Sequence, residues 1–238
     1  MKFQSAAITD IGKIREENED RYLCDEALGL FGVADGIGGV PGGGEAAECS
    51  VQVISRSLPE LGDQPDLVTL TQAASASVSE LGQILNPPYG IGSTLSFGVF
   101  KSGKLRLAHV GDSRVYVLKQ GTLHCLTMDH SMQNEIHKLH ARGEKIELTS
   151  ANRRALTRCM GQPGVPEVDS CELKVATGDR YLFTTDGIVN HLEDSELAEI
   201  LAGAGSPASI LDALVGLALQ RGGHDNLTAV VVFIDDAK

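Results

Sequence analysis

Between residues 95 and 126 four short β-type segments follow one another with almost no chain between them. Residues 95–100, 105–110, 115–118 and 123–126 are rich in Leu, Val and Phe, and Lys101-Ser102-Gly103-Lys104 and Lys119-Gln120-Gly121 read as hairpin turns. Connections of two to four residues cannot carry a chain back to a parallel neighbour, so this stretch has to pair antiparallel.

The flanking sequence adds helices without the strict βαβ alternation of a parallel sheet. Strands are expected at residues 3–9, 22–24, 28–34, 180–185 and 227–234, the 28–34 and 227–234 segments being almost wholly apolar. Helical spacing marks residues 45–58, 66–85, 131–142, 195–201 and 207–220, with Pro59 and Asn86-Pro87-Pro88 as stops. Residues 143–154 read as a charged surface loop. Strands that cluster and helices that come in pairs imply packed antiparallel sheets flanked by helices, an α+β arrangement. No linker divides the 238 residues, so a single domain over residues 1–238 is expected.

The chemistry is concentrated where apolar strands end. Phe31-Gly32-Val33-Ala34-Asp35-Gly36 and Tyr181-Leu182-Phe183-Thr184-Thr185-Asp186-Gly187 share one pattern, and Ala108-His109-Val110-Gly111-Asp112-Ser113 is a variant. Asp225, in Gly222-Gly223-His224-Asp225-Asn226, stands just before the last strand. A lone Asp-Gly after a strand is usually a turn or a helix cap. Several in one small domain are different: carboxylates that converge without basic partners repel one another, and a hard divalent cation such as Mg²⁺ or Mn²⁺ relieves that repulsion. A charged segment, Arg15-Glu16-Glu17-Asn18-Glu19-Asp20, joins them. Arg15 suits a phosphate, which a guanidinium grips with two parallel hydrogen bonds, and Glu19 and Asp20 would stand near the cations.

Taken in order, Arg15-x-x-Asn18-Glu19-Asp20, Val33-Ala34-Asp35-Gly36-Ile37-Gly38-Gly39, Gly92-Ser93-Thr94, His109-Val110-Gly111-Asp112-Ser113-Arg114, Leu126-Thr127-x-Asp129-His130-Ser131, Leu156-Thr157-Arg158, Thr185-Asp186-Gly187 and Asp225-Asn226-Leu227-Thr228 resemble the motifs of the metal-dependent serine/threonine protein phosphatases. This is the PPM or type 2C family, in its compact bacterial form, and the resemblance runs from Thr9 to Val232. It implies a four-layer α-β-β-α sandwich of two antiparallel sheets. It implies two Mn²⁺ or Mg²⁺ ions bridged by Asp35, with the Gly36 carbonyl completing one site and Asp186 and Asp225 the other. A third, weaker cation position would fall to Asp112 with Asp186. Arg15 matches the phosphate-binding arginine, Glu19 and Asp20 the ligands that act through water, and Asn226 a support for Asp225. The implied reaction is hydrolysis of phosphoserine and phosphothreonine by direct attack of a metal-bridging water, with no Ser or Cys nucleophile. The family's glycine-loop histidine is missing, since Ile37 and Val40 occupy its positions, so the general acid is unassigned. Residues 131–154 fall where the family carries a variable flap.

Other function classes fit less well. A formal net charge of −12 opposes a nucleic-acid or anionic-membrane surface. The five scattered cysteines, with no Cys-x-x-Cys, suggest reduced thiols buried among apolar neighbours and a cytoplasmic protein. The N-terminus lacks the apolar core of a signal peptide, and no stretch is long enough to span a membrane. The expected partners are phosphorylated proteins, substrates of Ser/Thr kinases, and the expected state is a monomer. Gly42-Gly43-Gly44-Glu45-Ala46-Ala47 fits Gly-x-Gly-x-x-Ala, but Leu61-Gly62-Asp63-Gln64-Pro65 stands where a dinucleotide site needs an acidic strand end. His137 and His140 lack the spacing of a zinc motif. A catalytically silent relative that only binds phosphoproteins is the alternative reading, and retention of Arg15, Asp35, Gly36, Asp186 and Asp225 argues against it.

Overall fold

A computed structural model describes residues 1–38, 41–143 and 155–238. In chain order its strands are β1 (Lys2–Asp10), β2 (Arg21–Asp25), β3 (Leu30–Ala34), β4 (Leu95–Lys101), β5 (Lys104–Val110), β6 (Arg114–Lys119), β7 (Thr122–Cys125), β8 (Asp169–Lys174), β9 (Arg180–Thr184) and β10 (Leu227–Asp236). They form two five-stranded sheets, β1-β10-β9-β6-β7 and β2-β3-β4-β5-β8, antiparallel at every pairing. The helices are α1 (Gly43–Ser57), α2 (Leu67–Leu85), α3 (Met132–Ala141), α4 (Asp186–Val189), α5 (Asp194–Ala202) and α6 (Pro207–Gln220). Among the described residues no helix is long and apolar enough to cross a membrane.

Burial on both faces explains the unbroken apolar runs. In β10, Ala229 and Val231 face helices α5 and α6, packing with Leu197, Leu214 and Ala218, while Val230 and Val232 face the other sheet. In β3, Leu30 and Ala34 pack with Ala46, Ile54 and Val78 of α1 and α2, whereas Phe31 and Val33 meet Leu107, Val115 and Phe183 between the sheets. A strand covered on both sides has no polar alternation to show. The result is the expected helix–sheet–sheet–helix sandwich. Phe100 holds its middle edge-on to Phe31, Tyr181 and Phe183, with ring centroids 5.7, 4.9 and 6.5 Å away. Each such pair adds on the order of 1 kcal/mol beyond area burial.

Both hairpin turns form as read. Ser102-Gly103 and Gln120-Gly121 all have positive φ, the twist that two-residue loops between antiparallel strands require. Three details differ from expectation. β3 starts at Leu30 because Leu28 and Gly29 still belong to a turn, with the Leu28 N–H on Asp25 Oδ1 and Gly29 at φ +63°. β8 carries no sequence signal: it is an edge strand paired only to β5, and nearly all its residues are exposed. Of the cysteines expected as buried packing groups, Cys24 and Cys49 do pack against the core, half-buried, and Cys159 is half-buried, but Cys125 and Cys171 are exposed on edge strands. The expected helix at 131–142 is α3, capped by Ser131 Oγ on the Asn134 N–H, and residues 144–154 of the expected loop lie outside the described residues.

Candidate active site

Antiparallel pairing brings the ends of many strands to one rim. Asp35 follows β3, Asp112 follows β5 and Asp186 follows β9, while Asp20, Thr94 and Asn226 precede β2, β4 and β10. The Asp-Gly pattern has a steric reason here. A Cβ on Gly187 would collide with the Asn226 carbonyl, and one on Gly36 would lie 2.5 Å from the Gly43 carbonyl. Glycine lets the neighbouring chain pass directly behind each aspartate.

Hydroxyl groups tie the rim together. The Asp35 N–H donates to Thr94 Oγ1 (3.0 Å), the Thr94 N–H returns to the Asp35 carbonyl (2.8 Å), and Thr94 Oγ1 lies 2.6 Å from Ser113 Oγ. Asp35 is thereby linked to the segment that carries Asp112. Thr185 Oγ1 donates to Asp20 Oδ2 at 2.9 Å. Asp20 is 2% exposed, and its other oxygen, Oδ1, is buried with no partner among the described residues. An orphaned carboxylate oxygen of this kind is costly unless something outside the protein completes it.

The electrostatics show how closely the carboxylates crowd. Burial pushes the Asp35 carboxyl well above the usual range, and Asp20, Asp186, Asp112 and Asp225 push it further. Burial raises Asp20 to about 7; hydrogen bonds from Thr228 and Thr185 oppose the rise, and Asp186 and Asp225 add to it. Asp112 also rises to about 7, through burial first and then Asp186 and Asp129. Five acidic groups thus share one rim, and their carboxylate oxygens are the donor type that suits a hard divalent cation. Among the described residues no three stand ready-made as a ligand set. Other partners hold some of them: Asp225 Oδ2 takes Arg15 Nη2 at 2.9 Å, and Asp186 Oδ2 takes Asn190 Nδ2 at 2.8 Å.

The remaining predicted residues fall around this rim. Arg15 is exposed and bound to Asp225. The Glu19 carboxylate accepts the Gly44 N–H at the start of α1, so the helix N-terminus that fits a dinucleotide motif is taken by the protein's own acid. The antiparallel β3–β4 pairing around α1 also removes the parallel strands that motif needs. The Asn226 side chain turns to the loop instead of to Asp225: its Oδ1 accepts the Glu19 N–H (2.9 Å) and its Nδ2 donates to the Ile11 and Glu17 carbonyls (2.9 and 3.0 Å). It clamps the whole loop that carries Arg15 and Glu19. Gly36 is buried and its backbone pairs with Ser93. Asp112 opens onto a cleft of about 230 Å³ shared with Asp186, Asn190 and the Arg114–Asp129 pair, which is bidentate at 2.8 and 2.7 Å. A larger groove of about 870 Å³ runs from Arg15 along α1 past Glu45 and Gln52. His137 and His140 sit exposed on α3, and Val40, Arg153 and Arg154 lie outside the described residues. The structural roles of Thr94, Thr185 and Ser113 emerge only here. Their one sequence signal is membership of the motifs Gly92-Ser93-Thr94, Thr185-Asp186-Gly187 and Gly111-Asp112-Ser113.

The sequence profile of the family described as Protein phosphatase 2C matches residues 15–227. The chain is 30% identical to the serine/threonine phosphatase stp of Listeria monocytogenes over 94% of its own length and 93% of that protein's. Among solved structures it superposes on PppA, described as a key regulatory component of T6SS in Pseudomonas aeruginosa, with a TM-score of 0.86, 30% identity and 98% of both chains covered. It also superposes on the catalytic domain of the serine threonine protein phosphatase PstP in complex with 2 manganese ions, with a TM-score of 0.82, 28% identity, and 98% and 99% covered.

Proposed function

The chain belongs to the protein phosphatase 2C family, and from that premise we propose that it removes phosphate from phosphoserine and phosphothreonine in proteins with two divalent cations, Mn²⁺ or Mg²⁺, held at the carboxylate rim. The observation that carries this reading is the crowding of Asp20, Asp35, Asp112, Asp186 and Asp225, with Asp20 Oδ1 left unpaired among the described residues. Asp35, the Gly36 carbonyl, Asp186 and Asp225 would hold the two cations, with Asp35 the residue shared between them. Asp112, facing Asp186, offers a weaker third position. The manganese ions of PstP support the same reading. What bound divalent cations supply is the activation of water for in-line attack on phosphorus and neutralisation of charge on the phosphoryl oxygens.

The chain's own residues do the rest. Arg15 takes the phosphoryl group. Asp225 now competes for the same guanidinium at 2.9 Å, so an Asp225 engaged by a cation releases Arg15 to substrate. Asn226 keeps the Arg15 loop in place through three hydrogen bonds. Glu19 and Asp20, at the end of that loop, orient water at the rim. Ile37 offers no proton to the leaving alkoxide, which leaves that role to water or to another histidine. We further assign one catalytic domain to residues 1–238, acting as a monomer in the cytoplasm on the substrates of Ser/Thr kinases.

The test is phosphate release from phosphothreonine and phosphoserine peptides by protein stripped of metal. Turnover is expected on adding Mn²⁺ and loss of turnover with EDTA; binding of phosphopeptide without release under Mn²⁺ would favour the silent alternative. In the same assay Arg15→Ala should raise KM by about 10-fold to 100-fold, the value of a charge-assisted phosphate contact. An unchanged KM would remove Arg15 from phosphate binding.

A further inference from the structure

We propose that His130, oriented by Asp169, is the positioning residue that holds Asp112 toward Asp186 and so sets the affinity of the weak cation position; the inference rests on the reading of Asp112 as a ligand there. The segment Gly111-Asp112-Ser113 is pinned on both sides of the aspartate. On one side the Gly111 N–H donates to His130 Nδ1 (3.1 Å) and the His130 N–H donates to the Gly111 carbonyl (2.7 Å). On the other, Ser113 Oγ lies 2.6 Å from Thr94 Oγ1, and Ser96 Oγ, 3.0 Å from the Ser113 carbonyl, shares its one proton between that carbonyl and His109 Nδ1.

Because Nδ1 of His130 accepts a hydrogen bond, its proton sits on Nε2, which lies 3.2 Å from Asp169 Oδ2, the acceptor it can use, and 3.1 Å from Arg158 Nη1. Arg158 holds Asp169 in turn, with Nη1 on Oδ1 at 2.8 Å, and its Nη2 reaches Glu167 at 2.8 Å. The ring is 2% exposed and lies against His109 at 4.6 Å between centroids. His109 is itself fixed between Ser96 Oγ (2.8 Å) and the Met128 carbonyl (3.1 Å).

Such a brace is needed because Asp112 and Asp186 repel each other and Gly111 resists little. Gly111 has φ +113°, and a Cβ there would come within 2.6 Å of the Thr94 side chain, so the chain turns at an unbranched, freely rotating residue. Without the His130 acceptor the Val110–Gly111 peptide loses its partner, and the turn at Gly111 is freer to let the Asp112 carboxylate relax away, the backbone bond from His130 N–H to the Gly111 carbonyl remaining. Groups that orient a metal ligand typically cost about 10-fold to 100-fold in metal affinity when removed.

The experiment is calorimetric titration of the metal-free protein with Mn²⁺ for the wild type, Asp112→Asn, His130→Phe and His130→Asn. Asparagine carries its side-chain oxygen at the depth of Nδ1 and can still accept from Gly111; phenylalanine keeps the ring and loses the acceptor. Expected results are loss of the weakest binding event in Asp112→Asn, weakening by about tenfold or more in His130→Phe, and near-wild-type binding in His130→Asn, with the tighter events unchanged throughout. If His130→Phe does not fold, Asp169→Ala, which frees the Nε2 proton, carries the same comparison. A His130→Phe titration identical to the wild type while Asp112→Asn loses the weak event overturns the positioning role alone. Equal losses in the Phe and Asn variants also overturn it. A weak event that survives Asp112→Asn overturns the reading of Asp112 and the inference with it.

Discussion

Asp186→Ala should lower phosphatase turnover by three or more orders of magnitude while the circular dichroism spectrum stays that of the parent. Asp186 is half-buried at the start of the short helix α4, where its side chain accepts a hydrogen bond from Asn190. It belongs to none of the apolar clusters, and its removal relieves the repulsion it exerts on Asp35 and Asp112. Stability should therefore hold or rise. Catalysis should not, because a lost ligand removes cation charge from the site where phosphoryl charge must be stabilised. A loss of about 4 kcal/mol in transition-state stabilisation corresponds to about a thousandfold in rate. Steady-state kinetics with a phosphopeptide under saturating Mn²⁺ checks it. Retention of a tenth of the wild-type rate would take Asp186 out of the metal centre.

The second large effect is on stability and runs the other way. In the metal-free protein, Asp20→Asn should stabilise the fold at pH 8 by a few kcal/mol, an advantage that vanishes near pH 4. The sign follows from the raised pKa. Asp20 ionises in the folded state at about 7, against 3.8 for an unperturbed aspartate. Between those values the folded chain keeps a proton the unfolded chain has lost, so wild-type stability falls as pH rises through that window and levels off above it. At about 1.4 kcal/mol per unit, a gap of this size is worth a few kcal/mol. Asparagine keeps an oxygen for Thr185 Oγ1 and never bears the charge. Denaturant unfolding in EDTA at pH 8 and pH 4 measures the difference; equal midpoints at pH 8 would rule it out. Adding Mn²⁺ should reverse the order, because the wild type gains binding energy that the variant has partly lost.

These two effects share one cause. The rim is an arrangement of like charges that the fold holds together at a cost, and functional sites are where such costs are tolerated. Sequence patterns revealed the acids themselves, because an apolar strand ending in Asp-Gly leaves a visible mark at Asp35 and Asp186. They revealed antiparallel sheets through the hairpins, since short turns leave only antiparallel pairing, whereas the four-layer sandwich followed from the family resemblance. β8 was invisible for the same kind of reason in reverse: Asp169–Lys174 is an edge strand, exposed on nearly every residue, with no buried face to impose alternation. The exposure of Cys125 and Cys171 follows from their places on edge strands β7 and β8. The second layer of the site was hidden by distance along the chain. Asn226 reaches Ile11 and Glu17, and His130 reaches Gly111 and Asp169. Motif membership marks Asn226 and His130, but nothing local shows which partners they take; only the closing of the sandwich brings them together.

Whether the carboxylate rim is a two-metal centre is decided by anomalous diffraction at the manganese edge from crystals of this protein grown or soaked in Mn²⁺. Two strong peaks are expected at the rim, with the Asp35 carboxylate between them, Asp186 and Asp225 on one ion, and Arg15 no longer paired with Asp225. Peaks elsewhere on the surface, or a rim without manganese at saturating concentration, would refute the two-metal reading.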